Sequence, residues 1–141
     1  MKKVLFSLLM VILASCSSTV KPVESKSLFE VLTQQADGGA SIRFFEILSE
    51  SKEIAMLQND EKLKNKIHPN DVQTSNFVVL NMGEKASGGY KIGVESVVET
   101  DKNIIITVKE TIPEANAMVS QVMTYPYCIV KINSKKEIII K

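Results

Sequence analysis

Leu13-Ala14-Ser15-Cys16 closes an apolar run at the start of this 141-residue chain, and it decides how much of the sequence is left to fold. Lys2 and Lys3 precede a stretch from Val4 through Leu13 in which Ser7 is the only polar residue. A basic lead, a short apolar segment and small residues before a cysteine describe an export signal with a lipobox, cleaved ahead of Cys16. The apolar stretch is about half of the ~20 residues a helix needs to cross a bilayer, so a permanent span is not expected. The expected chemistry at Cys16 is a diacylglyceryl group on sulfur and a further acyl chain on the new amino terminus. At ~0.8 kcal/mol per buried CH₂, one chain holds a protein only marginally, whereas two or three retain it. Residues 1–15 read as a lipoprotein signal peptide. The mature chain reads as anchored in membrane lipid through acylated Cys16, outside the cytoplasm. Ser17 places no retention charge after the cysteine, which points to the outer membrane or cell surface.

Residues 16–141 are enough for one domain that buries roughly two-thirds of its unfolded surface. Loss of Lys2 and Lys3 leaves fifteen basic residues against sixteen acidic ones. With no basic excess to meet phosphates, nucleic acid is not an expected partner. Of the two cysteines, lipid takes Cys16, so Cys128 has no intrachain disulfide partner and stability must come from packing. Residues 16–27 are rich in Ser, Lys and Pro and bury too little to offset their ordering entropy. They read as a flexible tether, and residues 28–141 as a single β-rich domain.

Beyond Leu28 the pattern is that of strands. Leu28 to Gln34 and Ile42 to Leu48 flank Asp37-Gly38-Gly39, whose tolerance of positive φ predicts a hairpin joining the two. Ser49 or Ser51 is placed to cap a short helix through Asn59, with Ile54 and Leu57 on its inner face. Residues 60–70 are charged, and His68-Pro69-Asn70-Asp71 stops and turns the chain. Phe77-Val78-Val79-Leu80 is apolar on both faces, which predicts a central strand covered from each side. Tyr90, Ile92 and Val94 alternate with Lys91, Gly93 and Glu95 as a half-buried strand. Asp101-Lys102-Asn103 turns the chain into the β-branched run Ile104 to Val108. Residues 117–124 alternate as a further strand, and Cys128 to Ile132 and Glu137 to Ile140 are hinged at Asn133-Ser134. Strands this short predict an α+β fold: mainly antiparallel β sheet curled into a small barrel or sandwich, with one or two short helices.

Catalytic constellations are scarce. The single histidine, His68, sits before Pro69 in a polar stretch and reads as a surface turn residue. Cys128 lies in the apolar run Tyr127 to Val130, where a thiol behaves as a small buried hydrophobe. A Cys128–His68 nucleophile–base pair is therefore not expected. No Cys/His cluster has metal-ligand spacing, and no glycine-rich phosphate loop opens a helix. The sequence reads as a binding protein with no cofactor rather than an enzyme.

Two local features rise above this background. Gly83-Glu84-Lys85-Ala86-Ser87-Gly88-Gly89-Tyr90 is a glycine-rich turn between two strong strands. Thr124-Tyr125-Pro126-Tyr127 leads into a buried strand, with proline setting the backbone angle. Both have an architectural reading, as a hairpin turn and a rigid lead-in. The functional reading makes Gly83, Ser87, Gly88, Gly89, Tyr90, Tyr125, Pro126 and Tyr127 the candidate residues for docking a partner protein.

Residues 77–132 then assemble a longer pattern: Phe77 to Gly83, Ser87-Gly88-Gly89-Tyr90, a strand pair, Pro113, and Gln121 to Tyr127. Their order and spacing resemble the C-terminal domain of the protease complex subunit PrcB family. Asp37-Gly38-Gly39 and the strand and helix after it are similar, more loosely, to longer members. The resemblance implies a lipoprotein accessory subunit that binds and stabilises a cell-surface serine protease. A weaker likeness links Ser87-Gly88-Gly89-Tyr90 to the loop of chagasin-like inhibitors of cysteine proteases. The chain contains no tryptophan, so it lacks the tryptophans that accompany that loop in the inhibitors. An inhibitor, or a non-catalytic small-ligand-binding envelope lipoprotein, are the alternative readings.

Overall fold

Two segments of the chain, Asn76–Asn81 and Tyr127–Ile132, are apolar on both faces, and they take the centre of the fold. The computed structural model describes residues 27–141; the signal segment, Cys16 and the tether up to residue 26 lie outside the described residues. In chain order the elements are β1 (Phe29–Gln35), β2 (Phe44–Leu48), α1 (Ser51–Gln58), α2 (Asp71–Thr74), β3 (Asn76–Asn81), β4 (Lys91–Glu99), β5 (Asn103–Thr111), β6 (Tyr127–Ile132) and β7 (Glu137–Ile140). They form two sheets, one ordered β1-β6-β3-β2 and the other β4-β5-β7.

The alternation of side chains along β3 and β6 sends each strand into two cores. Val78, Leu80, Cys128, Val130 and Ile132 point to the second sheet, where Ile92, Ile104, Ile106 and Ile138 meet them. Phe77 and Ile129 point the other way, to Leu32, Leu48, Ile54, Leu63 and Ile67. Ile54 comes from α1, and Leu63 and Ile67 from the turns that follow it. Fully burying one such side chain is worth about 1.5–3 kcal/mol, so both layers are held by dispersion and desolvation. The architecture is a sandwich with a helical cover on one face, not a closed barrel.

Pairing departs from expectation at three places. β1 and β2 are not a hairpin: β1 pairs with β6, β2 pairs with β3, and they occupy opposite edges of one sheet. The physical reason is that β3 and β6, apolar on both faces, each take two neighbours, so Asp37-Gly38-Gly39 carries the chain across their ends instead of reversing it. Residues 117–124 do not form a strand; only Thr124 makes a bridge, to Lys85. Their backbone bonds to the turn 83–90 instead, with the Gly88 N–H on the Ser120 carbonyl, and alternation without a ladder does not make a strand. β7 runs parallel to β5, because Asn133-Ser134 hands the chain from the first sheet to the second. The other pairs are antiparallel.

The helix cap also differs. Glu50 is the N-cap of α1, and the Glu53 carboxylate accepts from the Ser49 and Glu50 N–H groups at 3.0 Å each. This reach-back satisfies the amides at the N-cap, whereas a serine hydroxyl would have served those of the first turn. Along β4 the alternation holds through Val94, then a bulge at Glu95 resets the phase so that Val97 packs inward opposite Ile106. The turn at Asp101-Lys102 joins β4 to β5 as expected, with the Thr100 N–H bonded to the Asn103 carbonyl at 2.8 Å.

Candidate partner-docking site

The strands of both sheets end together, and their connections meet at one end of the sandwich. β1 antiparallel to β6 places Phe29 beside Ile132 and Gln35 beside Tyr127. The crossover 36–43, the turn 82–90 and the segment 112–126 therefore share the end marked by Gln35. Ser27 lies at the other end, where its carbonyl accepts from the Asn133 carboxamide. Seven residues of strand separate the two ends, about 23 Å at ~3.3 Å per residue.

Backbone hydrogen bonds stitch these connections together. Lys85 and Thr124 exchange two N–H to carbonyl bonds at 2.8 and 2.9 Å. The Gly88 N–H donates to the Ser120 carbonyl at 2.9 Å, and the Thr124 hydroxyl to the Ser87 carbonyl at 2.8 Å. The Met82 N–H donates to the Pro126 carbonyl at 2.9 Å. Thus the turn 83–90 and the segment 124–127, read separately in sequence, form one unit.

Two glycines make this possible. Gly83 has φ +78°, and a Cβ there would sit 2.9 Å from the Arg43 backbone nitrogen. Gly89 has φ +90°, and a Cβ would meet Pro113 at 2.9 Å. A side chain at either site would face both backbone strain and a clash.

Tyr125 joins the third connection. Its N–H donates to the Asp37 carboxylate at 3.1 Å, its carbonyl accepts from Gly39 at 2.8 Å, and its hydroxyl donates to Glu84 at 3.0 Å. Asn81, fully buried at the end of β3, fastens the same crossover from beneath. Its carboxamide donates to the Ala40 and Ile42 carbonyls at 2.9 and 2.6 Å and accepts from the Ala40 N–H at 2.9 Å. Sequence reading did not single Asn81 out; a polar residue ending a run apolar on both faces was the signal available.

The candidate residues differ in what they offer a partner. Pro126 is buried, and Tyr127 is half-buried among the residues packed under the helical cover. Tyr90 is half-buried against the inter-sheet core, with the Lys85 ammonium 5.6 Å from its ring centre. Gly83 is buried; Ser87, Gly88 and Tyr125 are partly exposed, and Gly89 is exposed. The apolar surface at this end comes instead from Ile42, Ile112, Met118, Val122 and Met123, each more than half exposed. Four of these sit in the segment that was expected to be partly strand, and in a strand half of them would have been covered.

Cys128 is buried between the sheets, which pushes its thiol up to about 11, while His68 is an exposed turn residue. Among the described residues no cluster of His, Cys, Asp or Glu side chains is arranged to hold a metal ion. A depression of about 160 Å³ is lined by Gln34, Gln35, Ala36 and Lys91. It is small and polar beside the apolar pockets of several hundred Å³ that hold organic ligands.

Against known proteins, residues 76–133 match the family model described as PrcB C-terminal. The matched segment, under half of the chain, is similar to that domain and holds β3 through β6 together with the turn 83–90 and the segment 124–127. No curated protein and no solved structure matches the chain significantly.

Proposed function

We propose that this chain is a lipid-anchored, non-catalytic subunit whose loop end docks a protease and keeps it folded. The observation that carries this reading is the convergence of three cross-bonded connections on one end, where Ile42, Ile112, Met118, Val122 and Met123 are exposed. Exposed apolar side chains on a braced backbone suit association, because little ordering entropy remains to be lost on binding. The PrcB-family match over residues 76–133 supports a protease as the partner. Acylation at Cys16 would tether the chain on the Ser27 side, so the loop end would face away from the bilayer.

Stabilisation would follow from mass action. A subunit that binds only the native protease adds about 2.7 kcal/mol to its stability when present at a hundredfold excess over Kd. Confinement of both proteins to one membrane raises their effective concentration. The test is a mild-detergent pull-down of the lipidated chain from its own membranes, with proteolytic activity followed in parallel. A stoichiometric protease whose level falls on deletion of this chain supports the reading. A protease that persists with raised activity assigns the chain as an inhibitor. Met118→Ser combined with Val122→Ser is expected to lower recovery of the partner with no change in the circular dichroism of the chain.

A further inference from the structure

Each sheet has two outer strands, and the unpaired backbone groups of an outer strand template another chain unless the edge is blunted. Three of the four edges are blunted. β1 carries a bulge at Leu32, whose carbonyl accepts from the Lys66 ammonium, and its Gln34 carboxamide donates to the Ile92 carbonyl of β4 at 2.8 Å. β4 is covered by that same bond and carries its own bulge at Glu95. β7 is four residues long between Lys135-Lys136 and Lys141.

β2 has none of these devices. Its five residues, Phe44 to Leu48, run in unbroken register against β3 and contain no proline, lysine or bulge. Arg43, the nearest cation, is turned towards the second sheet. Its Nε lies 2.9 Å from the Glu110 carboxylate, and its guanidinium sits 4.5 Å over the Phe45 ring. Phe44 and Ile47 point to opposite faces of β2, 36% and 37% exposed. A neighbouring strand would cover both.

We propose that β2 accepts an extended segment of a partner protein as a fifth strand of the first sheet, with a lysine or arginine of that segment opposite Glu46. Backbone pairing supplies the attachment, and the cross-strand charge pair selects the register. Glu46 is exposed and makes no ion pair among the described residues. A second copy of this chain would not satisfy it. When two identical edges pair antiparallel about a two-fold axis, directly opposed residues share a face, so Glu46 would meet Ile42, Phe44, Glu46 or Leu48 and no cation. A heterologous segment is therefore the occupant the charge pattern selects. β2 begins just after the crossover 36–43, so the added strand would continue from the docking end. The inference rests on the protein-partner reading above but concerns a separate surface.

The test adds two short blocked peptides of alternating valine and threonine, with lysine or glutamate at the centre, to the full chain in detergent. Hydrogen–deuterium exchange then reads the amides of residues 44–48. Both the protection and its charge preference are expected: the lysine peptide should bind about fivefold more tightly, the ratio set by one opposite-charge against one like-charge cross-strand pair. Glu46→Lys should reverse that preference, and Ile47→Pro should remove the protection. If proline unfolds the strand, the charge reversal still decides. Unchanged exchange at residues 44–48 under saturating peptide, or equal binding of both peptides, overturns the proposal. So does concentration-dependent dimerisation that Ile47→Pro abolishes, which gives the edge to a second copy. Failure of the Met118→Ser and Val122→Ser variants to affect partner recovery would count against the docking end alone.

Discussion

The hydroxyl of Tyr125 donates to the Glu84 carboxylate across 3.0 Å and adds a side-chain tie to two loops already joined through their backbones. That hydrogen bond, then the negative charge of Glu84, holds the phenol above its ordinary 10.0, with Asp37 acting in the same sense. A phenolate would face two carboxylates, so the neutral form is favoured. Because the folded value is the higher one, this contribution to stability is present below 10.0 and is lost as pH rises through the folded pKa. The expected result is a phenolate absorbance transition above 10.0 that Glu84→Gln moves downward. No movement would mean the bond does not persist in solution.

Cys128 offers a second pH signature with a different cause. Burial alone raises its thiol from 9.0 to about 11, so between those values the unfolded chain releases a proton that the folded chain keeps. Stability should fall as pH rises through that window, and Cys128→Ala should make the fall shallower. Melting curves taken below and within the window provide the check. At neutral pH an aromatic disulfide reagent should label Cys128 only after denaturation.

Asn81 is expected to be the most sensitive polar position at the loop end of the sandwich. Asn81→Ala leaves two carbonyls and one N–H of the crossover without their partners, at a cost of about 3 kcal/mol. Thr124→Val removes one hydroxyl donor to Ser87 and should cost about 1 kcal/mol. Denaturant midpoints for the two variants give the comparison. Similar losses would show that the crossover is held elsewhere.

Lys131 separates buried from exposed electrostatics within one side chain's reach. Its ammonium lies 3.5 Å from Asp71 and 3.3 Å from Glu30, and the Asp71 carboxylate also accepts from the His68 N–H at 2.8 Å. The Lys131 and Asp71 side chains are about one-tenth exposed, whereas that of Glu30 is 54% exposed. Lys131→Met is expected to cost about 3 kcal/mol, because it strands a buried carboxylate. Glu30→Gln should cost under about 1 kcal/mol. Adding Asp71→Leu to Lys131→Met should recover most of the loss, measured by denaturation of the double variant.

Much of the loop end of the sandwich could be read from local patterns. The turn 83–90 and the segment 124–127 are legible because glycine and proline act on their own backbone. That Lys85 bonds to Thr124 is not legible, since nothing local relates residues so far apart. Ala117 to Thr124 shows why period-two alternation is a weak guide: whether such a segment becomes a strand depends on a vacant neighbour, which no local pattern records. The bulge at Glu95 is silent for the same reason, because an extra residue is defined only against the opposing strand.

What the sequence determined by itself was local and additive: the apolar strands, the turns at Asp101-Lys102 and Gly88-Gly89, the burial of Cys128, and the PrcB-like order of motifs. The strands, the turns and the burial follow from a residue's own torsional preferences or its transfer out of water, whereas the order of motifs is a resemblance. Only the tertiary structure decided partnership. It placed β1 and β2 on opposite edges, because the two strands that are apolar on both faces claimed the centre. It turned β7 parallel to β5, and it left β2 unguarded while blunting the other three edges. These outcomes depend on which surfaces compete for the same neighbour, a choice made by the whole chain and not by any segment of it.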